Sequence, residues 1–324
     1  MLTSLLRRAC LVSLLVLSPS LALAQSFPSG PVTIVVPYSA GGLTDGLARA
    51  LSARLAERWK QSVVVENRAG GGTVIGNAAV ARAPADGHTL LMTSFGFVTS
   101  QFLVPNLPYQ PQDLAPLALV ATAPSVLYVH PSVPANTIGE LVQYMKSSKT
   151  PMTFASSGNG SSPHIAAELF STMVGAEITH VPYRGNGPAI TDLLGGQVQA
   201  LFDSVATLAH VKTGKLKALG VATMETAPQA PDLTPIARAG VPALAQFSSG
   251  SWFGLLLPQA TPRAVQDQLA RDIRAVLETA GMREAIVNGG VQPVLNTQAE
   301  FASYLQAEAL KWGRIIKDKN IRAQ

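Results

Sequence analysis

Val32-Thr33-Ile34-Val35-Val36-Pro37-Tyr38-Ser39-Ala40-Gly41-Gly42-Leu43-Thr44-Asp45 is the stretch from which the fold can be read. Its first five residues are a β-branched run closed by proline, which predicts a strand. Leu47, Leu51 and Leu55 follow at intervals of four, a helical stripe. The Gly-Gly turn between them allows backbone N–H groups to approach a ligand closely. The helix behind it adds the positive end of a dipole, so the turn has the makings of an anion site. It reads equally as a tight turn with Thr44 or Asp45 as cap.

Working outward, the same alternation recurs. Val63-Val64-Val65 and Thr89-Leu90-Leu91-Met92 predict strands, with a helix over 74–82 between them. Further strands are expected at 152–155, 178–181, 198–202 and 216–222. Strands separated by helices argue for parallel sheets in an α/β fold. Thr137-x-x-Glu140 and Thr297-x-x-Glu300 read as capping boxes. Thr261-Pro262 and Ser162-Pro163 read as a cap before a proline at the first helical position. Phe301, Leu305, Trp312 and Ile316 form the core face of the last helix. Two apolar stretches, 117–129 and 251–257, read as crossings between lobes. They divide the chain into one discontinuous lobe, 25–124 with 251–324, and an inserted lobe, 125–250. Two connections imply a cleft that hinges.

The chain has 324 residues, 24 Lys+Arg against 19 Asp+Glu, a net charge of +5 and 47% hydrophobic residues. Only 13% are charged, about half the usual ~25%. That composition supports a large core and argues against wholesale disorder. No basic stripe with interleaved aromatics appears, so nucleic acid is not expected as a partner. Arg7-Arg8, the apolar run 9–17 and Ala22-Leu23-Ala24 read together as a secretory signal peptide, 1–24, cleaved after Ala24. Cleavage leaves 300 residues with a charge of +3 and removes Cys10, the only cysteine. The mature chain then has no thiol chemistry.

A second glycine-rich turn, Ser156-Ser157-Gly158-Asn159-Gly160-Ser161-Ser162-Pro163-His164, stands in the inserted lobe. Ligands of open α/β sheets bind at this carboxyl edge of the strands. Ser94-Phe95, Tyr183-Arg184 and Asp203 end strands or open helices and could line the same cleft. Asp203 reads equally as a ligand acceptor or a cap, and Arg184 as a carboxylate partner or a solvated loop arginine. Gly70 to Gly76 is one residue too long for a dinucleotide fingerprint and reads as a turn. Nucleophile-elbow, zinc-protease and phosphate-loop motifs are absent. The five histidines are dispersed without metal-ligand spacing on one helix, so no metal is expected. A Ser157/His164/Asp203 triad can be written down, which keeps an envelope serine hydrolase using Ser157 and His164 as the rival reading.

These motifs resemble those of the substrate-binding proteins of tripartite tricarboxylate transporters, the Bug receptors. The resemblance rests on Gly41-Gly42-x-x-Asp45, Val64-Val65-Glu66-Asn67-Arg68-x-Gly70 and Ala85-Asp86-Gly87. It continues through Ala155 to Ser161, His180-Val181-Pro182-Tyr183-Arg184-Gly185, Thr191 to Gln197, Gly214 to Leu219 and Trp252-Phe253-Gly254. It implies a two-lobed periplasmic binding fold of type II, with parallel-rich sheets flanked by helices and a ligand cleft between the lobes. It also implies a monomer without catalysis or cofactor, whose partners are a small organic carboxylate and a membrane permease. It implies that the loops 38–44 and 156–161 hold the carboxylate, through Tyr38, Ala40, Gly41, Gly42, Thr44, Ser156, Ser157, Gly158, Gly160 and Ser161; His164, Ser94, Phe95, Tyr183, Arg184 and Asp203 are expected beside them in the cleft. Backbone amides around Gly41-Gly42 and Gly158-Gly160 are expected to hold the carboxylate, because the two turns supply no arginine.

Overall fold

The computed structural model of the protein describes residues 27–183, 185–318 and 321. The expected leader, 1–24, lies outside the described residues.

The opening run forms β1 (Val32–Val36), whose β-branched residues are buried on both faces apart from half-buried Thr33. Val32, Ile34 and Val36 face one apolar cluster, while Val35 faces another on the opposite side of the sheet. A strand covered on both faces cannot alternate apolar with polar residues. Leu47, Leu51 and Leu55 of α1 (Leu43–Trp59) complete the first cluster. β2 (Val63–Asn67) and β3 (Thr89–Ser94) pair with β1 in parallel, with α2 (Val74–Ala81) between them in the chain. α3 (Gly96–Leu103) then leads to β4 (Leu114–Pro124).

Beyond Ser125 the chain builds a second sheet. Its strands are β5 (Val126–Val129), β6 (Met152–Ser156), β7 (Ile178–Pro182), β8 (Ala200–Asp203) and β9 (Lys217–Val221). They alternate with α4 (Ile138–Ser147), α5 (Ser162–Val174), α6 (Asn186–Leu194) and α7 (Leu208–Lys212). The chain returns to the first sheet through β10 (Gly250–Pro258) and finishes with α8 (Arg263–Leu277), α9 (Ala280–Asn288), β11 (Gln292–Pro293) and α10 (Gln298–Asp318). The strand orders are β11-β4-β10-β3-β1-β2 and β7-β6-β8-β5-β9.

The architecture is the two-lobed α/β fold expected of periplasmic binding proteins, with one difference in strand direction. The pairs formed by β1 with β2 and β3, and by β6 with β7 and β8, are parallel. The strands that carry the chain between sheets pair antiparallel: β10 with β3 and β4, and β5 with β8 and β9. An outgoing and a returning strand laid side by side must run in opposite directions.

The helix starts follow the expected chemistry with small shifts. Thr297 and Glu300 close a reciprocal box, the Thr297 N–H donating to Glu300 Oε2 at 2.7 Å and the Glu300 N–H to Thr297 Oγ1 at 3.2 Å. At Thr137 the hydroxyl accepts from Glu140 N, but the Glu140 carboxylate takes the N–H of Asn136. Ser161, not Ser162, caps α5, which moves Pro163 to the second helical position. Pro262 itself occupies the cap of α8, with ψ of 137° outside the helical range, and Thr261 Oγ1 has no partner among the described residues.

The two crossings lie side by side. Ser125 N donates to Ser249 O at 3.4 Å, Ser249 N to Ala222 O at 3.0 Å, and Ala222 N to Ser125 O at 2.7 Å. Gly250 pairs with Pro124, and a Cβ there would sit 2.5 Å from the Ala123 carbonyl oxygen. Gly250→Ala should therefore destabilise the protein by about 1–3 kcal/mol through overpacking against backbone. Urea unfolding followed by circular dichroism measures it, and unchanged stability would show that the crossing shifts freely.

Candidate functional site

A cleft of about 1410 Å³ opens between the two sheets. Its walls come from turns at the carboxyl ends of strands in both: the turns after β1, β2 and β3 on one side, and those after β6, β7 and β8 on the other. No Lys, Arg or His lines it among the described residues, and Asp203 is the one lining carboxylate there. Arg184 lies outside the described residues. Any anion bound here meets amides and hydroxyls rather than described cations.

The turn after β1 is held by Asp45. Its carboxylate accepts from Gly41 N at 2.9 Å, Arg49 Nε at 2.9 Å and Asn67 Nδ2 at 2.9 Å, while Asn67 also donates to Tyr38 O at 3.1 Å. The Arg49 hydrogen bond, followed by those from the Gly41 backbone and Asn67, lowers the Asp45 pKa to about 2 against the penalty of burial. The Gly41 amide is thus spent inside the turn, and neither Gly41 nor Ala40 lines the cleft. Gly41 earns its place through φ of +83°. Tyr38, Gly42 and Thr44 do line the cleft, at the start of α1 where the first N–H groups have no intrahelical partner.

The turn after β6 repeats this economy with different groups. Gly158 N donates to Ser156 Oγ at 3.1 Å, and Gly160 N to His164 Nδ1 at 3.0 Å. Ser156 Oγ also lies 2.6 Å from His180 Nε2, and the His164 and His180 rings stack with centroids 3.6 Å apart and 4° between planes. Ser157, Gly158, Gly160 and Ser161 line the cleft, whereas Ser156 and His164 sit behind them as supports. The glycine amides expected to meet the ligand are therefore already donated at Gly41, Gly158 and Gly160, because each turn needs them to keep its shape. Ser162, one of the four serines of this turn, is 6% exposed, lines the cleft, and its hydroxyl has no partner among the described residues.

Ser94, Phe95, Tyr183 and Asp203 also line the cleft. Burial pushes the Tyr38 hydroxyl up to about 12. Burial also raises Tyr183 to about 12, aided by its 2.7 Å hydrogen bond to the Asp192 carboxylate. Asp203 accepts from Asn186 Nδ2, from Thr207 Oγ1 at 2.5 Å and from the Ser204 backbone, and burial raises its pKa against these bonds. These contacts tie the Asp203 carboxylate to the turn at 205–207, whose cap position is Ser204. The Gly70–Thr73 turn is more than a connection: it forms a wall of the cleft. Its four residues all have positive φ, including Thr73 at 87°, whose hydroxyl accepts from buried Asn77 at 3.0 Å. The signal was present: three glycines at the end of β2, in the position Gly41-Gly42 holds after β1.

The hydrolase constellation does not form. His164 Nδ1 is taken by Gly160, its Nε2 faces Glu168 Oε1 at 3.9 Å, and no hydrogen bond joins it to Ser157. Among the described residues no three His, Cys, Asp or Glu side chains gather as a metal site, and no helix is long and apolar enough to cross a membrane.

The family profile described as "Tripartite tricarboxylate transporter family receptor" matches residues 47–321. A Pseudomonas sp. (strain P51) protein, described as a UPF0065 protein in the tcbD-tcbE intergenic region, is 36% identical over 302 residues, 92% of this chain and 89% of the relative. BugT of Bordetella pertussis is 33% identical over 299 residues, 91% of each chain. Among solved structures, Rpa4515 of R. palustris with adipate has a TM-score of 0.80 at 32% identity, covering 92% of this chain and all of that one (100%). The periplasmic binding protein BugD has a TM-score of 0.77 at 31% identity, covering 92% and 100%. MatC of Rhodopseudomonas palustris with bound malate has 0.76 at 30% identity, covering 90% and 100%.

Asp45→Ala should lower stability at neutral pH by about 1–3 kcal/mol, since it strands buried donors. The Asp45 pKa is depressed, so its contribution is complete above about 4 and is lost as pH falls toward about 2. Urea titrations at neutral and acid pH should show the gap between wild type and variant closing on acidification. A gap that stays constant would mean that the carboxylate charge does not hold the turn.

Proposed function

Because the chain belongs to the tripartite tricarboxylate transporter receptor family, we propose that it is a periplasmic receptor that captures a small organic carboxylate in this cleft and delivers it to a membrane permease. The observation that carries the reading is the cleft lining: helix starts and serine- and glycine-rich turns face each other from both sheets, with no described cation among them. Neighbours with adipate and malate bound suggest a dicarboxylate of four to six carbons.

A carboxylate entering the cleft must recover the solvation it loses. The donors we assign are the N–H groups at the start of α1 around Gly42 and Thr44, and the Ser157 and Ser162 groups where the chain enters α5; both Ser161 donors are taken by Gly158 O. Hydrogen bonds to a charged group contribute roughly 1.5–3 kcal/mol each. A helix N-terminus adds about 0.3–2 kcal/mol. Two or three such bonds, with apolar contact from Tyr38 and Phe95, reach the roughly −8 kcal/mol of a micromolar complex after association costs. In this reading residues 25–124 with 251–324, and residues 125–250, move as the two jaws of a monomer, and 1–24 is removed on export.

Calorimetry with adipate and malate tests the ligand class. Gly42 suits the test because a Cβ there meets only Ser39 O at 3.7 Å, an ordinary contact; circular dichroism of Gly42→Val checks that the fold is kept. It should weaken adipate binding by more than about tenfold, or 1.4 kcal/mol, and Arg184→Ala should cost less. The reverse order would place the anion on a salt bridge to Arg184 instead.

Small-angle scattering supplies a second test. The scattering mass should be that of one chain, and saturating adipate should reduce the radius of gyration. An unchanged radius under demonstrated binding would rule out closure of the jaws.

A further inference from the structure

His164 and His180 are the buried titratable pair that the binding chemistry does not use. They stand on different elements, His164 in the first turn of α5 and His180 on β7, yet their rings lie parallel at 3.6 Å. Each ring reaches the loop between β6 and α5 through one atom. His164 Nδ1 accepts the Gly160 N–H at 3.0 Å. His180 Nε2 meets Ser156 Oγ at 2.6 Å, and that hydroxyl in turn accepts the Gly158 N–H at 3.1 Å. Both glycines have positive φ, +129° and +73°, and both line the cleft.

We infer that the stacked His164–His180 pair is the positioning device for the cleft loop 157–161, and that it does this only while His164 carries no proton on Nδ1. This rests on the receptor reading for what the loop is for; the geometry of the pair stands independently. An acceptor at Nδ1 places the single ring proton on Nε2, toward Glu168 Oε1 at 3.9 Å. A second proton would have to go on Nδ1, where it would meet the Gly160 N–H donor to donor. The loop would then lose the bond that sets its turn, and two stacked rings could not both charge without repulsion. The charged or titratable neighbours described for the pair are Glu168 on α5 and each ring for the other; the loop itself contributes serines, glycines and Asn159. Burial, reinforced by the neighbouring His180, holds His164 down at about 3, and burial holds His180 at about 4, so the pair is neutral across the physiological range.

The test uses the full mature chain and two substitutions. In His164→Asn, Oδ1 takes the place of Nδ1 as acceptor but cannot gain a proton; in His164→Leu there is no acceptor. By amide hydrogen exchange measured by NMR, the Gly160 protection factor should fall at least about tenfold in His164→Leu and stay within about threefold of wild type in His164→Asn. On lowering the pH from about 7 to about 3, wild-type protection should decline while that of His164→Asn stays level. Leucine-variant protection equal to wild type, or identical pH profiles for wild type and His164→Asn, would overturn the inference. If His164→Leu does not fold, the pH comparison of the other two proteins decides alone. Adipate titrations on the same samples should rank wild type and His164→Asn together above His164→Leu. Adipate bound equally by all three despite unequal exchange would overturn the link between loop shape and ligand. Adipate bound by none, with the exchange pattern intact, would uphold the positioning role and remove the carboxylate reading.

Discussion

The backbone passes between the two sheets twice, and both passages lie in one narrow place. Ser125 donates to Ser249, and Gly250 packs against the Ala123 carbonyl with no room for a side chain. Each sheet has its own core: α1 and α8 pack on one, α4 and α5 on the other. The two bodies are also joined by packing, because Ile165 of α5 is buried in the cluster that holds Phe95, Leu103 and Trp312. The direction of β10, the position of the cleft and the facing of its turns all follow from the side-by-side passages. The bodies also touch across the cleft, since Thr99 Oγ1 on α3 donates to Gly160 O at 3.3 Å and any Cβ on Gly160 would overlap Leu103.

A cleft without described cations places a demand on its turns. They must offer donors outward while keeping an irregular backbone rigid, and each glycine amide can serve only one purpose. Here Asp45, Ser156 and His164 claim the amides of Gly41, Gly158 and Gly160. The glycines supply conformation, and outward donation is left to the helix starts and hydroxyls beside them. The two lobes reach this state by opposite electrostatics: a carboxylate held ionised by Arg49 on one side, and a buried imidazole held neutral on the other.

The alternation of strands and helices and the buried stripe of α10 were legible in the sequence because each is a local pattern with a period. The loops of the site were legible for a similar reason, since glycine and serine between a strand and a helix mark a turn that can face a ligand. The family motifs pointed the same way. The triple glycine at 70–72 carries that signal too, through its place just after β2.

Local sequence determined which segments are strands, which are helices and where the chain turns, because those depend on neighbours within a few residues. Only the tertiary structure decided which donors inside each turn are already committed. Gly41 and Asp45 are four residues apart, but Asn67 completes their network from β2, and His180 reaches Ser156 across 24 positions of chain. Hydrogen bonds between such partners exist only after the sheet has brought them together, so no local pattern in the sequence announces them.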